Sequence, residues 1–241
     1  MERKLKGEAM KTKVITILAA AVILSFTAAH LYAVPVDKIF TSSGQIIDGE
    51  EWNNVSIYND DTIVDMLGGL VDQMQTYDSS MLNVTGGVIY SLYAWNYSVA
   101  NISSGSVYGV SSCDYTTVNL SVTGNVATLH ARFSGTINIM GGTAEYLGAL
   151  DSGTINIYGG LITEYLGAWN DAVVNIYGYD FNYDPLGGSL DGGQLKGFWF
   201  DSTAFTIDLN GLETYSHINL IPEPNTLVLL AIGCFLMKRK K

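Results

Sequence analysis

In Thr154, Ile155, Asn156, Ile157 and Tyr158 the aliphatic side chains fall on every second residue, and Gly159 and Gly160 follow. That is the two-residue period of a strand with one buried face, ended by a turn. Ile155 and Ile157 are expected to point inward, and Thr154 and Asn156 outward. The phrase recurs along the chain. Its central polar residue is Asp65, Asn83, Asn101, Asn119, Asn138, Asn156 and Asn175, at spacings of 18, 18, 18, 19, 18 and 19. A second apolar pair accompanies each copy: Met74 and Thr76, Leu92 and Ala94, Val110 and Ser112, Leu129 and Ala131, Leu147 and Ala149, Leu166 and Ala168. The small residue of each pair precedes the next polar anchor by seven residues in every copy, so the additional residue of the longer copies must fall between the anchor and the pair. Gly69, Gly87, Gly105, Gly124, Gly142 and Gly160 mark a turn in that interval.

A unit of this length is too short to bury an apolar face of its own, so successive units must stack. Helical repeats need longer units. Two or three short strands per unit, each pairing with its equivalents above and below at roughly 4.8 Å, make an all-β parallel β-solenoid, or β-helix. A β-sandwich also has short strands punctuated by glycine. It does not require the constant seven-residue interval. The pattern therefore predicts about seven coils over residues 63–180, a capping segment at 34–62 with Ile46, Trp52 and Ile57 over the first coil, and a capping hairpin at 181–220. In that hairpin FWF and AFTIDL flank the turn DST, and Phe198, Phe200, Phe205 and Ile207 are expected to cover the last coil.

Charge changes the picture in one respect. Of the 12 basic residues in the 241-residue chain, five precede residue 14 and four follow residue 237. Residues 34–221 hold Lys38, Arg132 and Lys196 against 20 acidic residues, so their net charge is 3 − 20 = −17. Such a body repels a phosphate backbone, which excludes nucleic acid as a partner. Cys113 lies in a repeat and Cys234 in an apolar tail, so no disulfide framework supports the fold.

The two ends read as addresses. Lys11 and Lys13 precede VITILAAAVILSFTAA, the charged-then-apolar order of a secretory signal peptide over residues 1–33, with cleavage after Ala33 or Ala29. Met10 begins a more ordinary signal sequence than Met1. At the far end, residues 221–241 place Pro222, Glu223 and Pro224 before an apolar run from Leu227 to Met237, and Lys238, Arg239, Lys240 and Lys241 after it. As a helix that run covers about 17 Å, short of the roughly 30 Å hydrocarbon core. The terminal cations favour the cytoplasmic side and leave the acidic body outside the inner membrane.

In these roughly twenty residues the chain resembles the PEP-CTERM proteins. The resemblance implies export by the Sec machinery, transient tethering in the inner membrane by the C-terminal helix, and recognition by an exosortase. It further implies removal of the tail near Pro222-Glu223-Pro224 and delivery to the cell surface or extracellular matrix of a Gram-negative-type bacterium. The repeats resemble those of β-solenoid members of the same sorting class. The tail is attached to many different bodies, so it defines no activity.

Candidate chemistry is sparse. His30 lies in the signal region, which leaves His130 and His217, with no HExxH and no pair at metal-ligand spacing. No nucleophile elbow has its acid and histidine in the expected context. No catalytic residue, metal ligand or cofactor is assigned. Asp78, Asn96, Asp114, Asp151 and Asn170 recur at one position of the repeat. They suit a column of Asx turns bonding their own backbone, or a row of Ca²⁺ ligands. Thr117 and Asn119, Thr136 and Asn138, and Thr154 and Asn156 form a regular outward grid, read as a structural ladder and as a candidate binding face. An ice-binding solenoid carries Thr in both columns; here the second column is Asn and the first becomes Met81, Val99 and Val173 elsewhere. The expected function is a non-enzymatic surface or matrix protein with a structural or adhesive role, with exopolysaccharide as a partner. A polysaccharide-acting enzyme on a β-helix scaffold and a glycan- or ice-binding solenoid are the alternatives.

Overall fold

The computed structural model describes residues 36–121 and 123–222. The segment expected to be a signal peptide (residues 1–33), Glu223 and Pro224 of the expected sorting motif, the apolar run and Lys238 to Lys241 lie outside the described residues. Strands alternate between short and long. The first three are β1 (Val36–Phe40), β2 (Gly44–Ile46) and β3 (Glu51–Ile57). Four regular pairs follow: β4 (Ile63–Met66) with β5 (Leu70–Thr76), β6 (Met81–Val84) with β7 (Val88–Ala94), β8 (Val99–Ile102) with β9 (Ser106–Ser112), and β10 (Thr117–Leu120) with β11 (Asn125–Ala131). In the next two coils the pair merges into β12 (Thr136–Ala149) and β13 (Thr154–Ala168), and β14 (Val173–Asp184) begins as a short strand but continues into an antiparallel pairing with the strand that follows it. The chain closes with β15 (Gln194–Phe198), β16 (Ala204–Asn210), a 3₁₀ turn at Thr214–His217 and β17 (Ile218–Pro222).

Strands separated by one coil pair in parallel, β5 with β7, β7 with β9, β9 with β11, and likewise along the short strands. The molecule is thus an all-β stack of parallel strands, a β-solenoid of about eight turns. Seven turns were expected. Segments assigned to caps account for the difference: β1 and β2 already pair in parallel with β3 and β4, and β17 adds a further rung on β14.

The core is the inside of the coil. Ile155, Ile157, Leu166 and Ala168 are buried, and so are their equivalents Ile137, Ile139, Leu147 and Ala149 one turn earlier. β5, β7, β9 and β11 each have two successive outward residues between buried ones, as in β7, where Ile89 and Leu92 are buried while Tyr90 and Ser91 are not. This break in the alternation bends the long strand, so each coil has three sides. The additional residues lie where expected, between anchor and apolar pair. Thr117 aligns with Val99 at 18 residues but Asn125 with Ser106 at 19, which puts one insertion in the glycine turn. Ala144 aligns with Ile162 at 18 but Tyr146 with Tyr165 at 19, which puts the other at the bend. Gly87 shows why the turn needs glycine: its φ is +82°, and a Cβ there would sit 2.7 Å from the backbone of Gly68 and Gly69.

The C-terminal hairpin forms as predicted, with β15 antiparallel to β16 and Phe198 opposite Ala204. Its inward face is partly different. Phe205 and Ile207 are buried, but Phe198 and Phe200 are exposed, and Trp199 between them is buried instead. The Trp199 indole Nε1 donates to the Gly160 carbonyl at 3.1 Å, so the turn of the hairpin rotates the large ring onto the last coils. Leu195 and Leu209 complete the cover. Of the residues expected over the first coil, Ile46 and Ile57 are buried and Trp52 is half-buried.

Candidate functional site

The Thr and Asn grid lies on the short-strand side of the coil, in unbroken register from β8 through β10, β12 and β13 to β14. Its Asn column is one continuous hydrogen-bond chain. Asn83 Nδ2 donates to Asp65 at 2.9 Å, Asn101 to Asn83 at 2.9 Å, Asn119 to Asn101 at 2.8 Å, and Asn138 to Asn119 at 2.8 Å. Asn156, Asn175 and Asn219 extend it at 2.8, 2.8 and 3.0 Å. Every amide donates toward the N-terminal end, and the chain stops on a carboxylate. Asp65 suits that end because an ionised carboxylate accepts hydrogen bonds and has none to donate. The column is therefore a structural ladder. Each interior amide keeps one N–H and one lone pair beyond the chain. Thr117, Thr136 and Thr154 align beside it, half-exposed.

The column read as Asx turns or Ca²⁺ ligands occupies the corner before the next short strand. Asp78, Asn96, Asp114, Asp151 and Asn170 all have positive φ, between 56° and 64°. Asp and Asn tolerate this left-handed conformation better than other non-glycine residues, which explains the column. Four of these side chains bond a neighbouring coil: Asp78 accepts from the Asn59 N–H at 3.0 Å, Asp114 from the Asn96 N–H at 3.4 Å, and Asp151 from Asn170 Nδ2 at 3.4 Å. Among the described residues no group of three or more His, Cys, Asp or Glu is arranged to hold a metal ion.

Two features were not anticipated. Outward tyrosines stack between coils: Tyr58 on Tyr77, Tyr90 on Tyr108, Tyr97 on Tyr115 and Tyr158 on Tyr177, with ring centroids 4.7, 5.1, 5.4 and 4.2 Å apart. The signal was in the sequence as tyrosines recurring one period apart, obscured because each pair uses a different position of the coil. The second feature is a hollow of about 270 Å³ on the long-strand side, lined by Ser91, Tyr93, Gly109, Ser111, Thr128, His130 and Arg132, with Leu92 and Val110 at its floor. Burial, and secondarily the Arg132 guanidinium, hold the His130 imidazole below its ordinary pKa. His217, the other candidate histidine, places Nδ1 3.1 Å from the Ala172 carbonyl, away from this hollow. Cys113 is buried, and its thiol is pushed up by that burial.

Pro222, the first residue of the expected sorting motif, ends β17 opposite Gly178. No helix among the described residues is long and apolar enough to cross a membrane. No protein family, curated protein or solved structure matches the chain.

Proposed function

We propose that this is an exported, exosortase-sorted, non-enzymatic protein of the cell surface or extracellular matrix, built as a rigid repeat body with a structural or adhesive role. The observation that carries the reading is the order of parts after the body: Pro222-Glu223-Pro224, an apolar run ending at Met237, and four terminal cations. Together with the charged-then-apolar N-terminus, this order suits a chain handed from Sec to an exosortase, with both ends helical while in the membrane. The apolar run is too short for a comfortable permanent span, in keeping with an anchor that is removed. The position of Pro222 at the end of the last rung supports cleavage next to a folded body, since proline has no N–H to extend the ladder.

Intact-mass analysis of the exported protein tests this. The expected mature chain lacks the N-terminal segment and everything after the Pro-Glu-Pro region. A mature chain still ending in Lys238 to Lys241 overturns the sorting reading.

A glycan-binding role is favoured over ice by the exposed tyrosine stacks, because sugar rings present C–H faces that pack on aromatic rings whereas an ice surface needs a flat polar lattice. On the grid itself, the Thr column is the side to alter. Replacing Asn138 and Asn156 by Lys would remove three ladder bonds, each contributing about 0.5–1.5 kcal/mol. Lysine at Thr136 and Thr154 leaves the ladder intact and is expected to weaken matrix attachment if this face is adhesive.

A further inference from the structure

We infer that the hollow over Gly109 and Ser111 is a binding site for a saccharide ring that carries a carboxylate. The register shows how the hollow arises. Ser91, Gly109 and Thr128 form one outward column on successive coils, and Tyr93, Ser111 and His130 form the next. The coil containing Gly109 and Ser111 thus has small residues in both columns. Tyr93 and His130 stand on either side of Ser111, two rungs or roughly 9.6 Å apart along the stack. Gly148 on the following coil makes room for the imidazole, since a Cβ there would meet His130 Cδ2 at 2.6 Å.

The lining has the chemistry of a polyol site with one charge. Ser91, Ser111 and Thr128 contribute hydroxyls that both donate and accept. His130, kept neutral by burial, offers one donor and one acceptor to a ring hydroxyl. Tyr93 offers an aromatic surface, and the stacked, exposed rings of Tyr90 and Tyr108 occupy the adjacent column.

Arg132 supplies the specificity. Among the described residues Lys38 pairs with Glu50, and Lys196 lies near Asp208, whereas Arg132 makes no ion pair. No Asp or Glu lines the hollow. An unpaired guanidinium at the rim of a polar hollow is matched by a carboxylate, which it can hold with two parallel hydrogen bonds. The volume accommodates a single ring.

The inference deepens the adhesive reading and depends on it for a biological setting, but its test is separate from export and processing. The full chain in mild detergent is titrated calorimetrically with glucuronate, glucose, acetate and inorganic phosphate. Glucuronate is expected to bind about tenfold more tightly than glucose or either simple anion, one charge-assisted contact being sufficient for that ratio. Gly109→Gln should abolish binding without unfolding the protein. Gly109 has an ordinary φ, a Cβ there would meet only the Tyr90 carbonyl oxygen at 3.6 Å, and Gln73 already occupies the same column. Arg132→Gln should reduce glucuronate to the affinity of glucose. Absence of glucuronate binding, binding unaffected by Gly109→Gln, or acetate or phosphate binding as tightly as glucuronate would each overturn the proposal. None of these results bears on the mature mass of the exported chain, so the two readings fail independently.

Discussion

Backbone conformation at single residues explains the corner column better than ligand chemistry does. Position 133 demonstrates the point, because the repeat places Phe133 where other coils carry Asp or Asn. Phe133 has φ of +54° and is 51% exposed, so the ring gains little burial to offset a conformation costly for a bulky side chain. Phe133→Asn is therefore expected to stabilise the protein by about 1 kcal/mol, read as a higher denaturant midpoint. A lower midpoint would mean that the ring contributes packing that its exposure conceals. His130 gives a pH dependence. Its folded pKa is depressed, so the unfolded chain takes up the proton first. The associated stability is complete above the ordinary histidine value of roughly 6.5 and is lost as pH falls below it toward the folded pKa. His130→Gln should flatten this part of the stability profile when denaturant midpoints are compared at pH 7.5 and 5.5 (roughly one unit either side of the ordinary value). An unchanged slope would locate the dependence elsewhere.

Within one coil, inward and outward residues on the same strand should differ sharply in what they contribute. Ile155 is fully buried between Ile137 and Val174 on the neighbouring turns, while Thr154 beside it is half-exposed. Ile155→Asp puts an unpaired carboxylate between stacked coils and is expected to cost at least several kcal/mol. Thr154→Ala should cost well under about 1 kcal/mol. Equal shifts in the denaturant midpoint would contradict the placement of the core. The corner before each short strand shows a compatible division inside the coil. Ser98 and Thr116 are buried there, bonded to Thr76 at 2.8 Å and Ser112 at 2.7 Å, whereas the same corner in later coils is Gly135 and Gly153. Hydroxyls inside a solenoid are tolerated because each finds a partner one coil away or across the corner.

The whole stack must end without leaving its core open, and in the C-terminal hairpin that closure includes a carboxylate sensitive to acid. Asp208 accepts from Gln194 Nε2 at 2.6 Å and from the Ser189 N–H and Oγ at 3.0 and 2.9 Å. These bonds, that from Gln194 first among them, outweigh burial and hold its carboxyl below the usual range. The stability they supply is present above the ordinary Asp value of roughly 3.9 and is lost as pH falls through the lower folded value. Asp208→Asn should remove this acid step from the unfolding profile. Trp199 fluorescence, compared with that of a Trp199→Phe control, reports whether the hairpin leaves the last coils. A variant with an acid transition identical to the parent's would exclude Asp208 as its source.

The period, the inward residues Ile155 and Ile157, the seven-residue interval and the interval receiving each insertion followed from the sequence alone. Alternation and repetition are local properties, and stacking is the one way for units so short to bury an apolar face. The proposed sorting segments rest on the sequence alone, since they are linear patterns read without a fold. Tertiary structure alone decided the rest. It turned Trp199 inward in place of Phe198 and Phe200, because that depends on how the hairpin meets Gly160. It added turns at both ends, because β1, β2 and β17 pair by register without carrying the full repeat phrase. It also assembled the hollow from residues that are unremarkable in sequence. Gly109 and Ser111 matter only as gaps between the side chains above and below them, and a gap in a stack is a property of neighbouring coils rather than of any one segment of chain.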